Sequence, residues 1–261
     1  QQNLVSVGTN LKYYIERGGA YFDITPIRAT ATLTNPFTTT SGSTTVLVTD
    51  NAHGALQNDF VTFSGASAVG GLTLNGEFQI SFVNANSYNI TAASQASSGA
   101  TGGGTVTAAY QVNTGNEIAV PFTGWSAGAW GAGTWGVGGT TLAPIRLWSQ
   151  ANFGEDLFFG YRGGSLFYWD ASNGVNTRAV YVTSLGGASN VPTIVNKTFV
   201  SDIFRFAFCF GSNPLGATAL DPMLIRWSNQ EDVANWTPLA TNQAGSLRLS
   251  RGSEIITVLQ A

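Results

Sequence analysis

The chain has 261 residues, enough for one to two domains with a sizeable buried core. Charged residues make up only 10% of it and the net charge is −3, so Thr, Ser, Asn, Gln and Gly stand where Lys and Glu usually do. That composition excludes a basic nucleic-acid footprint, though a mildly acidic wall is compatible with DNA passing by, since it would not grip phosphate. Cys209 is the only cysteine and lies in the apolar run Phe206-Ala207-Phe208-Cys209-Phe210. It reads as a small buried hydrophobe, and no disulfide can form within one chain. No apolar stretch is long enough to span a membrane, and Gln1-Gln2-Asn3 does not open a signal peptide. The missing initiator Met suggests processing or a partial chain.

In chain order, residues 1–34 read as a first propeller-like hairpin region. Leu11 to Glu16 leads through Arg17-Gly18-Gly19 into Ala20 to Thr25, and Pro26 closes the second strand because it cannot donate to a ladder. Residues 35–112 interrupt this pattern as an inserted small β-barrel or sandwich domain. Five strands are expected there, at Thr45 to Thr49, Phe60 to Ser64, Phe78 to Val83, Ser87 to Thr91 and Thr105 to Val112. Residues 113–142 form a Gly/Trp-rich connector in which Trp125, Trp130 and Trp135 recur every fifth residue. In extended backbone an odd step sends successive indoles to opposite faces. They are candidate interface residues, wedged between blocks or between subunits.

Residues 143–261 return to propeller-like β structure. Leu157 to Tyr161, Arg162-Gly163-Gly164 and Ser165 to Asp170 repeat the first hairpin, and Ser246 to Val258 makes a weaker third copy. A second echo pairs Ile145 to Ser149 with Ile225 to Ser228. The run Ile255 to Ala261 reads as a strand without a terminator, implying further chain or completion of the sheet by a neighbouring subunit. The fold class expected is all-β, with partial β-propeller-like hairpin repeats around the inserted domain.

Chemistry is sparse. His53 is the only histidine and sits in a turn, so a Ser-His-Asp or Cys-His arrangement has one possible base, and a structural role is the plainer reading. One His with one Cys does not make a zinc site, no calcium loop is present, and Gly102 to Gly104 lacks the Lys of a P-loop. The enzyme option left is a glycosidase, which needs two facing carboxylates. Glu155-Asp156 and Glu231-Asp232 are the candidates, but neighbours on a strand point to opposite faces. Turn carboxylates capping backbone amides are the simpler account.

Several segments carry a resemblance. Asp50 to Gly54 through Val61 to Gly65, the Gly-Trp connector, Arg146 to Gln150 with Phe153 to Asp156, and Leu224 to Asp232 through Trp236-Thr237-Pro238 look like tailed-bacteriophage virion structural proteins. The chain is similar to the tail nozzle, or tail tubular B-like, proteins from about residue 10 onward. The resemblance implies a virion subunit, not an enzyme, without cofactor or metal and without a membrane span. It would repeat as a homo-oligomeric ring in the nozzle or head-to-tail region and meet other phage tail or connector proteins. Double-stranded DNA would be a partner only in passage, and assembly would take place in the host cytoplasm. The insertion departs from the plainest nozzle subunits. The alternative is a glycan-binding phage adhesin or depolymerase, whose Trp and Tyr faces would stack on sugars.

Overall fold

Val, Thr, Phe and Tyr runs broken by Gly and Asn favour short extended segments over helices. The computed structural model describes residues 4–81, 83–117 and 145–258. Among them every named strand pairs antiparallel, in five sheets, and no α-helix occurs, only two single-turn 3₁₀ segments. The chain divides into two compact units, Gln1–Ile24 with Gly115–Ala261, and Thr25–Thr114.

The first unit opens with a three-stranded sheet, β1 (Val5–Gly8), β2 (Tyr13–Arg17) and β3 (Ala20–Asp23). β2 and β3 form the expected hairpin. Gly18 and Gly19 take φ of 61° and 86°, the left-handed pair that a two-residue turn matching strand twist requires.

The second unit holds β4 (Ile27–Thr34), β5 (Phe37–Thr39), β6 (Thr45–Thr49), β7 (Phe60–Ser64), β8 (Gly76–Gln79), β9 (Ser87–Thr91), β10 (Ala100–Gly102) and β11 (Thr105–Gln111). They make two four-stranded sheets, β10-β5-β6-β9 and β4-β11-β7-β8, and neither closes into a barrel. Alternation aims Val46, Val48, Tyr88 and Ile90 from one sheet at Val61, Phe63, Val106 and Ala108 from the other. Phe37 meets Phe63 edge to face at 5.0 Å. The strand expected over residues 78–83 is divided instead. β8 ends at Gln79 in one sheet, and Ser81 bridges to Asn89 of the other, because the chain changes sheets there. The unit begins with β4, which pairs along β11 and so belongs here rather than with the first hairpin. Its two ends meet where the Val112 N–H donates to the Pro26 carbonyl at 3.0 Å.

Back in the first unit, β12 (Trp148–Phe153), β13 (Asp156–Tyr161), β14 (Leu166–Trp169) and β15 (Val180–Tyr181) form one antiparallel meander, and β16 (Val195–Val200), β17 (Ala207–Ser212), β18 (Asp221–Trp227) and β19 (Gly245–Arg248) another. Phe158, Leu166, Val195, Val200, Cys209 and Trp236 share the core between them. The N-terminal sheet is fastened to the first meander by Tyr13, which is fully buried and stacks on Phe159 with ring centroids 4.3 Å apart. Trp148 lies 4.7 Å from the same ring, and the Tyr13 hydroxyl donates to Gln150.

Two sequence echoes prove non-equivalent. Trp148 is on the first strand of its meander and Trp227 on the third of the next. What they share is local: each indole covers a glycine, Gly8 or Gly245, where a Cβ would collide with the ring. Each also donates its N–H at 2.7 Å, to the carbonyl of Thr9 or Gln243. The third hairpin copy is also incomplete. Residues 254–258 form no strand, because the Ile255 N–H reaches back to the Pro222 carbonyl at the start of β18 instead of pairing with β19.

Burial pushes the Tyr13 phenol up to about 12, partly opposed by a hydrogen bond with Ser6. A raised pKa in the folded state means stability that is complete below the ordinary phenol value of 10.0 and is lost as pH climbs toward about 12. Tyr13→Ala is expected to cost ~3–5 kcal/mol in urea unfolding, and Tyr13→Phe to flatten the alkaline loss. An alkaline profile identical to that of the unaltered chain would contradict this. We also expect a fragment of residues 25–114 to unfold cooperatively on its own, which calorimetry can check.

Candidate functional site

The candidate carboxylates lie on turns. Gly154 and Glu155 form the two-residue link between β12 and β13, leaving Phe153 opposite Asp156. Asp156 is spent on structure: it accepts from the Tyr168 hydroxyl and from the Ala171 N–H at 2.9 Å. Asp232 likewise accepts from the Ala234 and Asn235 N–H groups at 3.0 and 3.2 Å. Both aspartates are therefore turn locks, as the capping reading expects. Glu155 and Glu231 are exposed, and their carboxylates make no hydrogen bond or ion pair among the described residues.

One residue that sequence reasoning passed over joins these turns. Arg205, between β16 and β17, accepts at its carbonyl the Glu231 N–H at 3.0 Å, and its guanidinium lies beside Gly154. Arg205 and Glu231 both take left-handed backbone, with φ of 48° and 55°. Such conformations cost about 1–3 kcal/mol each outside glycine and persist where surrounding contacts fix them. No sequence signal marks Arg205, because what matters is its carbonyl and its position.

The stretch from Leu224 to Trp236 also resolves into structure. Arg226 is 3% exposed and donates to the carbonyls of Asn213 and Asn190, with burial disfavouring its cation. The Ser228 hydroxyl accepts from the Ala207 N–H at 3.1 Å, and the Trp236 indole N–H donates to the Val233 carbonyl at 2.7 Å. Cys209 faces Arg226 across the β17–β18 ladder, and burial raises its thiol pKa well above the usual range, so it is an inert core residue.

His53 is buried in the second unit. Its Nδ1 accepts from the Ala55 N–H at 2.9 Å while Nε2 faces the Asn84 carbonyl at 2.9 Å. With Nδ1 accepting, Nε2 is left to donate to the Asn84 carbonyl, so both ring nitrogens are engaged in holding the turn. Nearby, the hydroxyls of Tyr88 and Tyr110 meet at 2.8 Å, and Tyr110 donates to Asp50 at 2.5 Å. Burial raises both phenol pKa values. Asp59, 1% exposed, accepts from the N–H of Leu56 and Thr114 and from the side chains of Asn113 and Thr114. Trp125, Trp130 and Trp135 fall outside the described residues. Among the described residues no three His, Cys, Asp or Glu side chains gather as a metal would require, and no helix is long and apolar enough to cross a membrane.

No family model matches the chain, and no curated protein does either. Four solved chains match, among them the phage phi92 endosialidase, at 16% identity and a TM-score of 0.28. The match covers 97% of this chain and 38% of that one, so the chain spans about two fifths of the length of the protein it resembles. The matched protein is a phage protein by its name. That protein is a glycosidase by name, so the expectation that this chain is not an enzyme is withdrawn on this finding. At that TM-score the likeness assigns no activity to any residue.

Asp170 and Asp221 respond to acid. The Ser172 hydroxyl and N–H hold the Asp170 carboxyl below its ordinary range, and the Met223 N–H followed by Arg248 does so for Asp221. A lowered folded pKa gives stability present above the unfolded value and lost as pH falls through the folded one. Unfolding free energy is therefore expected to drop on acidification below about pH 4. Carboxyl carbon NMR should show both midpoints under the usual aspartate value; midpoints at or above it would contradict the assignment.

Proposed function

We propose that the chain is a structural subunit of a bacteriophage tail, repeated as a symmetric ring around the DNA channel in the nozzle or head-to-tail region. The observation that carries this reading is the apolar surface left on the last meander and its loops. Ile203 is 78% exposed, Phe204 56%, Leu247 55% and Ile256 75%. Leaving such side chains in water forgoes about 25 cal/mol per Å², which burial against a neighbouring copy would recover. A chain with only 10% charged residues suits permanent burial between copies. The four-stranded antiparallel meanders β12–β15 and β16–β19 are of the kind that make propeller blades. The motif resemblance supports the phage setting. In this reading the partners are copies of the chain and other phage tail or connector proteins. DNA only passes through, and the particle assembles in the host cytoplasm.

The connector supplies the test. Changing Trp125, Trp130 and Trp135 together to Ala is expected to lower ring assembly, read by native mass spectrometry, more than it lowers the melting temperature. Interface tryptophans are frequent hot spots. A collapsed monomer with unaltered assembly of whatever remains folded would remove these residues from the interface. An unaltered chain that stays monomeric at high concentration, with and without its phage partners, would overturn the ring itself.

A further inference from the structure

A groove of about 650 Å³ runs in the first unit between the N-terminal sheet and the first meander, within the size range of small-ligand sites. One wall is the β1–β2 pair, where Ser6 lies opposite Ile15. The other is a row across three strands: Asn152 on β12 is opposite Leu157 on β13, which is opposite Trp169 on β14. Glu155 on the β12–β13 turn and Ser172 beyond β14 complete the rim.

The chemistry of this lining is specific. Leu157 and Trp169 are buried, and the Trp169 indole N–H is already spent on the Thr177 carbonyl at 2.9 Å. They therefore close the bottom of the groove and offer a ligand neither a ring face nor a donor. Asn152 and Glu155 are exposed, and neither side chain is hydrogen-bonded among the described residues. The Ser172 hydroxyl already donates to Asp170 and Ser6 pairs with Tyr13, so both serines offer acceptor capacity only. The Asn152 amide, with two donors and an acceptor, and the acceptor-only Glu155 carboxylate suit a ligand whose groups both donate and accept. The single formal charge in the lining is negative, and Arg205 lies beside Gly154 without joining the lining. A phosphate, sulfate or uronate would meet Glu155 with no cation of the lining opposite it. A wholly apolar ligand would strand the polar rim.

We propose that this groove is a binding site for a neutral saccharide, its hydroxyls donating to and accepting from Asn152, donating to Glu155, and meeting the remaining acceptor capacity of the two serines. This goes beyond the tail-subunit reading and does not depend on ring assembly, so either can fail without the other.

The full chain would be applied to an array of short neutral oligosaccharides and of sialylated and uronate-bearing ones of matching length, with calorimetric titration of those retained. Neutral glycans should bind and acidic counterparts should bind more weakly. The double variant Asn152→Ala with Glu155→Ala, altering exposed side chains at a hairpin tip, should lose about tenfold or more in affinity at an unaltered melting temperature. Glu155→Arg should shift preference toward the acidic glycans. Retention of no neutral glycan, equal binding by the double variant, or preference of the unaltered chain for acidic glycans would each overturn the proposal.

Discussion

The stack of Tyr13 on Phe159 is the contact on which the first unit depends, because it joins residues separated by an entire second unit in the chain. Strands of four or five residues cannot hold a sheet by backbone bonding alone, and β1–β3 has only three such strands. The aromatic block supplies what the ladder lacks. Phe159, Trp148, Tyr161 and Phe167 pack round one another, and the Arg146 guanidinium lies 3.7 Å above the Tyr161 ring. Asp23 at the end of β3 adds a polar fastening, paired with Lys12 at 3.0 Å and with Arg178 at 3.2 Å.

The second unit solves the same problem differently. Its core is aliphatic and aromatic, but its buried polar groups are arranged so that loops are fixed by side chains. Asp59 gathers four donors and so holds the turn at Leu56 to the closing residues Asn113 and Thr114. The Tyr88–Tyr110–Asp50 chain does likewise across the sheets. Satisfied networks of this kind specify one arrangement, since every alternative leaves a buried group unpaired.

Much of the strand content was legible, because period-two alternation in segments such as Phe60–Ser64 and Thr45–Thr49 reflects one buried face. The Gly18-Gly19 turn was legible for a related reason: few residues tolerate that backbone. Resemblance between Trp148 and Trp227 misled about repeats because it records an indole lying over a glycine, a local device usable on any strand. Residues 254–258 look like a strand by composition, but a strand needs a partner, and β19 is not the partner they find. The turn aspartates could be recognised as caps from sequence. Arg205 could not, since its role rests on main-chain geometry. The groove was equally hidden, as its walls come from residues far apart in sequence.

The isolation of Cys209 has a practical side. As the chain's single cysteine, fully enclosed between sheets and with its thiolate suppressed, it will stay silent toward thiol reagents while the second meander is closed. A cysteine introduced on the surface would then carry a spectroscopic label alone, without first removing the native one. The slow modification of Cys209 itself becomes a clock for the opening of that sheet.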